Sequence, residues 1–362
     1  MRRIVSPVKL LNLTALVSAL LVIGCGGCNK NGDGKTVRLS GMGATFVNPI
    51  MQKWSHEYAN TKRTEIDYSG VGSSDGIAKM MKREADFGCS DAPMKKKQVE
   101  DAQASGGEVM HVPLILGGVA VIHNVPGIAE LKLSGPVIAD IYRGKIRNWN
   151  EPRIAALNQG STFPDLKITQ VYRSEGSGTS NIFTEFLSKV SPEFQKEIGA
   201  STSPKWPEIG TGQAGSDGVA KHVKDNAGSI GYVEVAYAKK NVIAVARVQN
   251  SKGAFTLPDA DAVTAAGEWG LNQPQTKEPY SLHKLTYSLT NADSENAYPI
   301  SGISYCVLFK KQSGSKGRAL VEFLKWATTE GQKFAIGLDY APLPAELGTK
   351  VSERLNEIEL ID

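Results

Sequence analysis

Three times in this chain an apolar strand runs into a Gly/Ser/Thr-rich turn and straight on into a helix. In the first unit Thr36–Ser40 reads as the strand and Gly41-Met42-Gly43-Ala44-Thr45-Phe46 as the turn. Phe46, Ile50, Met51, Trp54 and Tyr58 then fall on one helical stripe. In the second, Glu65–Tyr68 leads through Gly70-Val71-Gly72-Ser73-Ser74-Asp75-Gly76 to a helix carrying Ile77, Met80 and Met81. In the third, Ile168 and Val171 close a strand before Arg173-Ser174-Glu175-Gly176-Ser177-Gly178-Thr179-Ser180, and Ile182, Phe183, Phe186, Leu187 and Val190 follow at helical spacing. Alternating strands and helices over this length mean an α/β class. Such a turn sits at a helix N-terminus, where backbone N–H groups lack intrahelical partners and the dipole adds partial positive charge, so an anion is favoured. Gly176 and Gly178 allow close approach, Ser177 and Thr179 add hydroxyl donors, and Arg173 adds a planar fork suited to oxyanions. The plain alternative is a capped helix at each place, with Ser73 or Ser74 as an N-cap and Arg173 as a surface charge. Capping alone is a poor account of three such turns. A nucleotide P-loop is excluded, because no G-x-x-x-x-G-K-[ST] is present.

A fourth strand, Ala85–Ser90, ends in the polar turn Asp91-Ala92-Pro93. A carboxylate there can accept a hydrogen bond from a protonated oxyanion, whereas it would repel a fully ionised one. The local alternative for Asp91 is an Asx-type turn before Pro93. Val112–Val125 is apolar enough for a strand buried on both faces and long enough to cross between two domains, with His111 and His123 flanking it as structural residues. A further turn, Gly215-Ser216-Asp217-Gly218, precedes Val219–Val223. Residues 250–280, rich in Pro, Gly, Asp and Gln, suggest a surface excursion; Ile303–Lys310 reads as a strand and Ala319–Phe334 as helical.

At 362 residues the chain holds two domains of ordinary size. It opens as a targeting segment: Arg2, Arg3 and Lys9 precede an apolar run, Leu10–Ile23, of about 14 residues, short of the roughly 20 that span a bilayer. Val22-Ile23-Gly24-Cys25 resembles a lipoprotein cleavage and acylation site, the alternative being plain secretion, so the mature chain is expected outside the cytoplasm with Cys25 lipid-modified. Loss of residues 1–24 removes three of 41 basic residues and none of 37 acidic ones, so the charge falls from +4 to +1. That near-neutral balance, without a long basic run bearing aromatics, argues against a nucleic-acid partner. Cys28 lies in the tether, which leaves Cys89 and Cys306 in strand-like segments, where an oxidising compartment permits a bridge between them. Neither paired C-x-x-C motifs nor H-E-x-x-H occurs, so no metal is expected.

These residues together resemble the substrate-binding protein family of bacterial high-affinity phosphate ABC transporters. The likeness rests on Gly-Met-Gly-Ala-Thr-Phe at 41–46, Gly-Val-Gly-Ser-Ser at 70–74, Asp-Phe-Gly-Cys-Ser-Asp-Ala-Pro at 86–93 and Ile-Tyr-Arg-Gly-Lys-Ile at 141–146. It continues through Arg-Ser-Glu-Gly-Ser-Gly-Thr-Ser at 173–180, Lys-Trp-Pro at 205–207, Gly-Ser-Ile-Gly-Tyr-Val-Glu at 228–234 and Leu-Asp-Tyr-Ala-Pro-Leu-Pro at 338–344. The resemblance implies a two-lobed periplasmic-binding-protein architecture of type II, each lobe a mixed sheet flanked by helices, with the ligand in the cleft. Its implied layout is a signal peptide at 1–24, a lipidated tether at 25–35, lobe 1 from 36–123 and 293–362, and lobe 2 from 124–292. Thr45, Phe46, Ser73 and Asp91 would bind phosphate from the first lobe, Phe46 through its N–H and Asp91 by accepting the phosphate proton. Arg173, Ser177, Gly178 and Thr179 would bind it from the second, with Glu175 orienting Arg173 where the family more usually has Asp. The implied partners are inorganic phosphate and the permease and ATPase subunits of the transporter; the chain would be a monomer, touch the membrane only through its lipid and use no cofactor.

Two rival readings remain. One is a receptor for another oxyanion, and Asp91 stands against sulfate and molybdate more than against a phosphonate. The other is a secreted phosphatase or serine hydrolase with Ser177 as nucleophile, against which stand the lack of a G-x-S-x-G elbow and of a paired base.

Overall fold

The computed structural model describes residues 36–275 and 277–361; the signal segment, Cys25, Cys28 and the tether lie outside the described residues. Strands β1 (Val37–Gly43), β2 (Thr64–Gly70) and β3 (Phe87–Ser90) come first, followed by the long β4 (Val109–His123). Next are β5 (Thr169–Arg173), β6 (Thr211–Gln213), β7 (Ser229–Glu234) and β8 (Ala244–Val245), and β9 (Ser301–Phe309) returns late in the chain. They form one sheet in the order β2-β1-β3-β9-β4-β7-β5-β6, with β8 added on β4. Within it β2-β1-β3 and β7-β5-β6 are parallel groups, separated by the antiparallel β9 and β4.

β4 joins the two groups. All 15 of its residues are buried, as its unbroken apolar sequence requires. Its ladder to β9 runs as far as Gly118, and its ladder to β7 begins at Val119. The two parallel groups run in opposite senses along successive halves of β4, so their carboxyl ends point at one another across a shared cleft. This is the crevice at strand ends where open α/β sheets bind ligands.

Helix N-termini arrive at the same place. α1 (Asn48–Thr61) follows β1, α2 (Ser73–Met81) follows β2, α3 (Gly178–Val190) follows β5, α4 (Gly215–Asp225) follows β6, and the short α5 (Val235–Asn241) follows β7. The apolar stripes follow the predicted spacing, except that Phe46 is buried in the turn before α1 rather than on it and Val190 is only half-buried. α1 buries Ile50, Met51, Trp54 and Tyr58, with Pro49 in its first turn where no N–H is needed, and α3 buries Ile182, Phe183, Phe186 and Leu187.

The structure corrects the expectation of a surface excursion over residues 250–280. α6 (Ala260–Leu271) lies there with Ala262, Val263, Ala266 and Leu271 buried, and Asp259 caps it by accepting from Ala262 N. The polar and Pro-rich residues flank this helix, and averaging over the whole stretch hides its period. The helical reading of Ala319–Phe334 begins too late and runs too far: α7 spans Gly314–Ala327 and gives way to a 3-10 turn over Glu330–Phe334. Cys89 and Cys306 are directly opposed across β3 and β9, and the structure holds them as free buried thiols rather than as a bridge. Burial pushes both thiols up, away from the reactive thiolate form.

Candidate functional site

Thr45, Ser73, Asp91, Arg173, Ser177 and Thr179 converge where the carboxyl ends meet, none more than 6% exposed. Phe46 is buried beside them. Residues from opposite halves of the sheet touch directly. Gly178 N donates to Ser73 Oγ at 2.9 Å, Ser74 N donates to Gly176 O at 3.1 Å, and Thr45 Oγ1 lies 2.8 Å from Ser216 Oγ.

Ser73 therefore does not cap its helix. The cap position of α2 is Gly72, at φ +102°, and the Ser73 hydroxyl accepts from Gly178 N and, at 3.4 Å, from Asp91 N. The glycines of the third turn are small because the opposite turn fills their space. A Cβ on Gly176 would lie 2.2 Å from Ser74 Oγ, and one on Gly178 would lie 2.5 Å from Ser73 Oγ and 2.7 Å from Asp91 N. Ser177 is the N-cap of α3, its Oγ accepting from Ser180 N at 3.2 Å.

Arg173 carries the cationic charge. Its Nε and Nη2 both donate to Glu175 Oε1, the former at 2.7 Å, and Nη1 donates to Ser216 Oγ at 3.3 Å. Glu175 also accepts from Gly215 N at 3.2 Å, the first N–H of α4. Its longer side chain thus orients Arg173 and occupies the mouth of a fourth helix at once.

Asp91 is set apart from its own turn. Ser90 serves that turn instead, accepting from Ala92 N at 3.2 Å, so no Asx turn forms. Asp91 Oδ1 accepts from Ser304 Oγ at 2.8 Å, next to a β-bulge between Ser304 and Tyr305 that lies opposite Pro113. Asp91 Oδ2 is buried without a partner, and so is Thr179 Oγ1. Burial lifts the Asp91 carboxyl from an ordinary 3.8 to about 7. The Ser304 hydrogen bond, the Arg173 charge, and the Ser73 and Thr179 hydroxyls oppose the rise. Thr179 Oγ1 is near enough to act on the Asp91 carboxyl yet makes no hydrogen bond of good geometry with it, and a bound group with both donor and acceptor oxygens beside the guanidinium would satisfy both atoms.

The raised value has a consequence for stability. A carboxyl whose folded pKa exceeds its unfolded one supports the fold fully below about 4, and that support is lost as pH rises through about 7. In ligand-free protein, Asp91→Asn is therefore expected to flatten the fall in unfolding free energy between about pH 4 and pH 8, by up to roughly 4 kcal/mol relative to the parent in urea titrations. Equal falls in the two proteins would contradict the buried, uncompensated carboxyl.

Sequence reasoning missed Ser216, Ser304, Tyr237 and Tyr340. Ser216 had a signal, since Gly215-Ser216-Asp217-Gly218 opens a helix as the other turns do. The others lie in strand, helix and coil with no local mark. Among the described residues no group of His, Cys, Asp or Glu could hold a metal ion, and no helix is long and apolar enough to cross a membrane.

The chain matches the PBP superfamily domain over residues 30–330. It is 39% identical over 316 residues to the phosphate-binding protein PstS of Pasteurella multocida (strain Pm70), covering 86% of this chain and 88% of that one. To the phosphate-binding protein PstS of Xylella fastidiosa (strain 9a5c) it is 36% identical over 359 residues, covering 92% and 94%. In fold it is similar to the phosphate-binding protein from Stenotrophomonas maltophilia, with a TM-score of 0.69 at 19% identity over 88% of this chain and 93% of that one. A two-lobed α/β sheet with four helix mouths on one cleft, and this extent of identity, lead to one assignment: the chain belongs to the PBP superfamily and, within it, to the family of the phosphate-binding protein PstS.

Proposed function

We propose that the mature chain is an extracytoplasmic receptor that binds one inorganic phosphate in the cleft and delivers it to the permease of a phosphate ABC transporter. The observation that carries this reading is Asp91 Oδ2, a buried acceptor without a hydrogen-bond partner that lies near the Thr179 hydroxyl and the Arg173 charge. A phosphate leaving water needs every oxygen satisfied. Thr45, Ser73, Ser177 and Thr179 supply hydroxyls, Phe46 and Gly178 supply backbone N–H groups, Arg173 supplies the charge with Glu175 holding it, and Asp91 takes the phosphate proton. The lobes are 36–123 with 293–362, and 124–292; the change of partner along β4 at Gly118 and Val119 supports a division near the first of these boundaries. Cys25 carries the lipid, and the receptor works as a monomer.

Catalysis is not part of this reading. Ser177 Oγ, the hydroxyl that a hydrolase would use, has Ser180 N as its one hydrogen-bond partner and no basic side chain paired with it among the described residues. Calorimetric titration of residues 29–362, stripped of ligand by unfolding and refolding, tests the proposal against phosphate, arsenate, sulfate and methylphosphonate. Phosphate should bind far more tightly than sulfate; no heat with phosphate, or equal affinities, would sink it.

Closure is a swing of one lobe against the other, biased by a ligand that touches both. The glycine contacts make it sensitive to a single methyl group. Gly178→Ala is expected to lose at least about tenfold in phosphate affinity, because its Cβ would lie 2.5 Å from Ser73 Oγ and 2.7 Å from Asp91 N and force the two turns apart. Unchanged affinity would mean that the turns do not mesh in the bound state.

A further inference from the structure

Two tyrosines hold the carbonyls of the Thr45–Phe46 turn. Tyr237 Oη, on α5, donates to Thr45 O at 2.7 Å, and Tyr340 Oη donates to Phe46 O at 2.5 Å. Tyr340 Oη also lies 3.0 Å from Oε2 of Glu234, the fully buried last residue of β7. Glu234 Oε2 accepts from Ala236 N at 3.0 Å, while Oε1 has no partner. A phenol has a single proton to give. Committed to Phe46 O, Tyr340 has none left for Glu234, so the proton in the 3.0 Å contact has to come from the carboxyl side.

We propose that Glu234 is a positioning residue of the anion site: as a neutral acid it donates through Oε2 to Tyr340, which donates to Phe46 O, while Tyr237 fixes Thr45 O. The proposal rests on the phosphate reading above. Thr45 C=O and Phe46 N–H belong to the same peptide, so the bond accepted by the carbonyl orients and polarises the N–H that faces the ligand. The Tyr340–Glu234 relay holds the next peptide plane, and with both planes fixed the mouth of α1 is held in one orientation in the closed cleft. Glu234 and Tyr237 come from the half of the sheet opposite Thr45, so this clamp closes with the cleft.

The surroundings suit a protonated acid. Burial is the main cause that holds the Glu234 carboxyl well above the usual range, with the Asp339 charge adding to it and the N–H groups of Val235 and Ala236 opposing it. The titratable groups that bear on it are Tyr340, Tyr237 and Asp339, and Asp339 is itself paired with Lys239 at 2.5 Å. β4 presents apolar Val119 opposite. Raising pH works against the relay, because ionising Glu234 removes the proton it donates to Tyr340.

Glu234→Gln keeps the size and a donor while removing the titratable proton. Calorimetry on residues 29–362 should give this variant a phosphate affinity within about threefold of the parent at neutral pH. Glu234→Ala should be weaker by about tenfold or more. The infrared carbonyl absorption of buried protonated carboxyls should be weaker in Glu234→Gln than in the parent, the Asp91 contribution being common to both, a readout that depends neither on phosphate nor on how well the alanine variant folds. A Gln variant weaker by more than about threefold, or an infrared band unchanged by the substitution, overturns the relay. A parent that binds no phosphate overturns the functional reading instead and leaves the infrared test standing.

Discussion

Arg173→Ala is expected to weaken phosphate binding by at least about a hundredfold in calorimetry, the largest loss of any single substitution in this site. The guanidinium is almost wholly buried, so its charge acts in a medium that screens it little. Removing it takes away a charge-assisted donor and also strands Glu175, whose carboxylate would keep only the Gly215 N–H. Truncating one partner of a buried charged pair costs on the order of 2–5 kcal/mol, and here the stranded group has the same sign as the ligand. Arg173→Lys should rescue little, because one ammonium cannot reach both Glu175 and Ser216 as the planar fork does. A loss of less than about tenfold would mean that the helix mouths, not the arginine, supply the attraction.

Asp91→Asn is expected to act on selectivity instead. At present a fully ionised tetrahedral anion such as sulfate would set an oxygen against Asp91 Oδ2, which has no other partner to turn to. Well above pH 7, where Asp91 is ionised, such like-charge juxtaposition costs several kcal/mol, so the ratio of phosphate to sulfate affinity measured there should fall by about a hundredfold or more. The change should come mainly from a gain in sulfate binding, since the Asn amide can donate where the carboxylate could only accept. Ser304 still donates to the remaining oxygen, so the side chain should stay in place. The same phosphate-to-sulfate preference in variant and parent would refute the role given to Asp91.

The parts of this molecule legible in the sequence are those in which local pattern and tertiary role coincide. β4 could be read because both its faces are buried, which leaves an unbroken apolar run, and the turns before α1, α2 and α3 could be read because helix mouths need small residues. Ser73 illustrates the limit. Its position is that of a cap, yet Gly72 takes the cap and Ser73 reaches across the cleft to Gly178, 105 residues away. Ser304 has still less to mark it: a serine within an apolar strand is polar noise until a bulge opposite Pro113 and a carboxylate from β3 give it a partner. Tyr237 and Tyr340 spend their rings on the core and their hydroxyls on the turn, and only the first of these shows in a hydrophobic pattern.

That β4 passes unbroken from one lobe to the other fixes the mechanics of capture. One of the two crossings between the lobes is thus a pleated ribbon, and parting the lobes bends it near Gly117 and Gly118. There a Cβ would strike Phe46 at 2.7 Å or Pro258 at 2.5 Å, which leaves little travel. A crossing strand so confined has no room for a side chain at its pivot, so a methyl group added at either glycine would jam it.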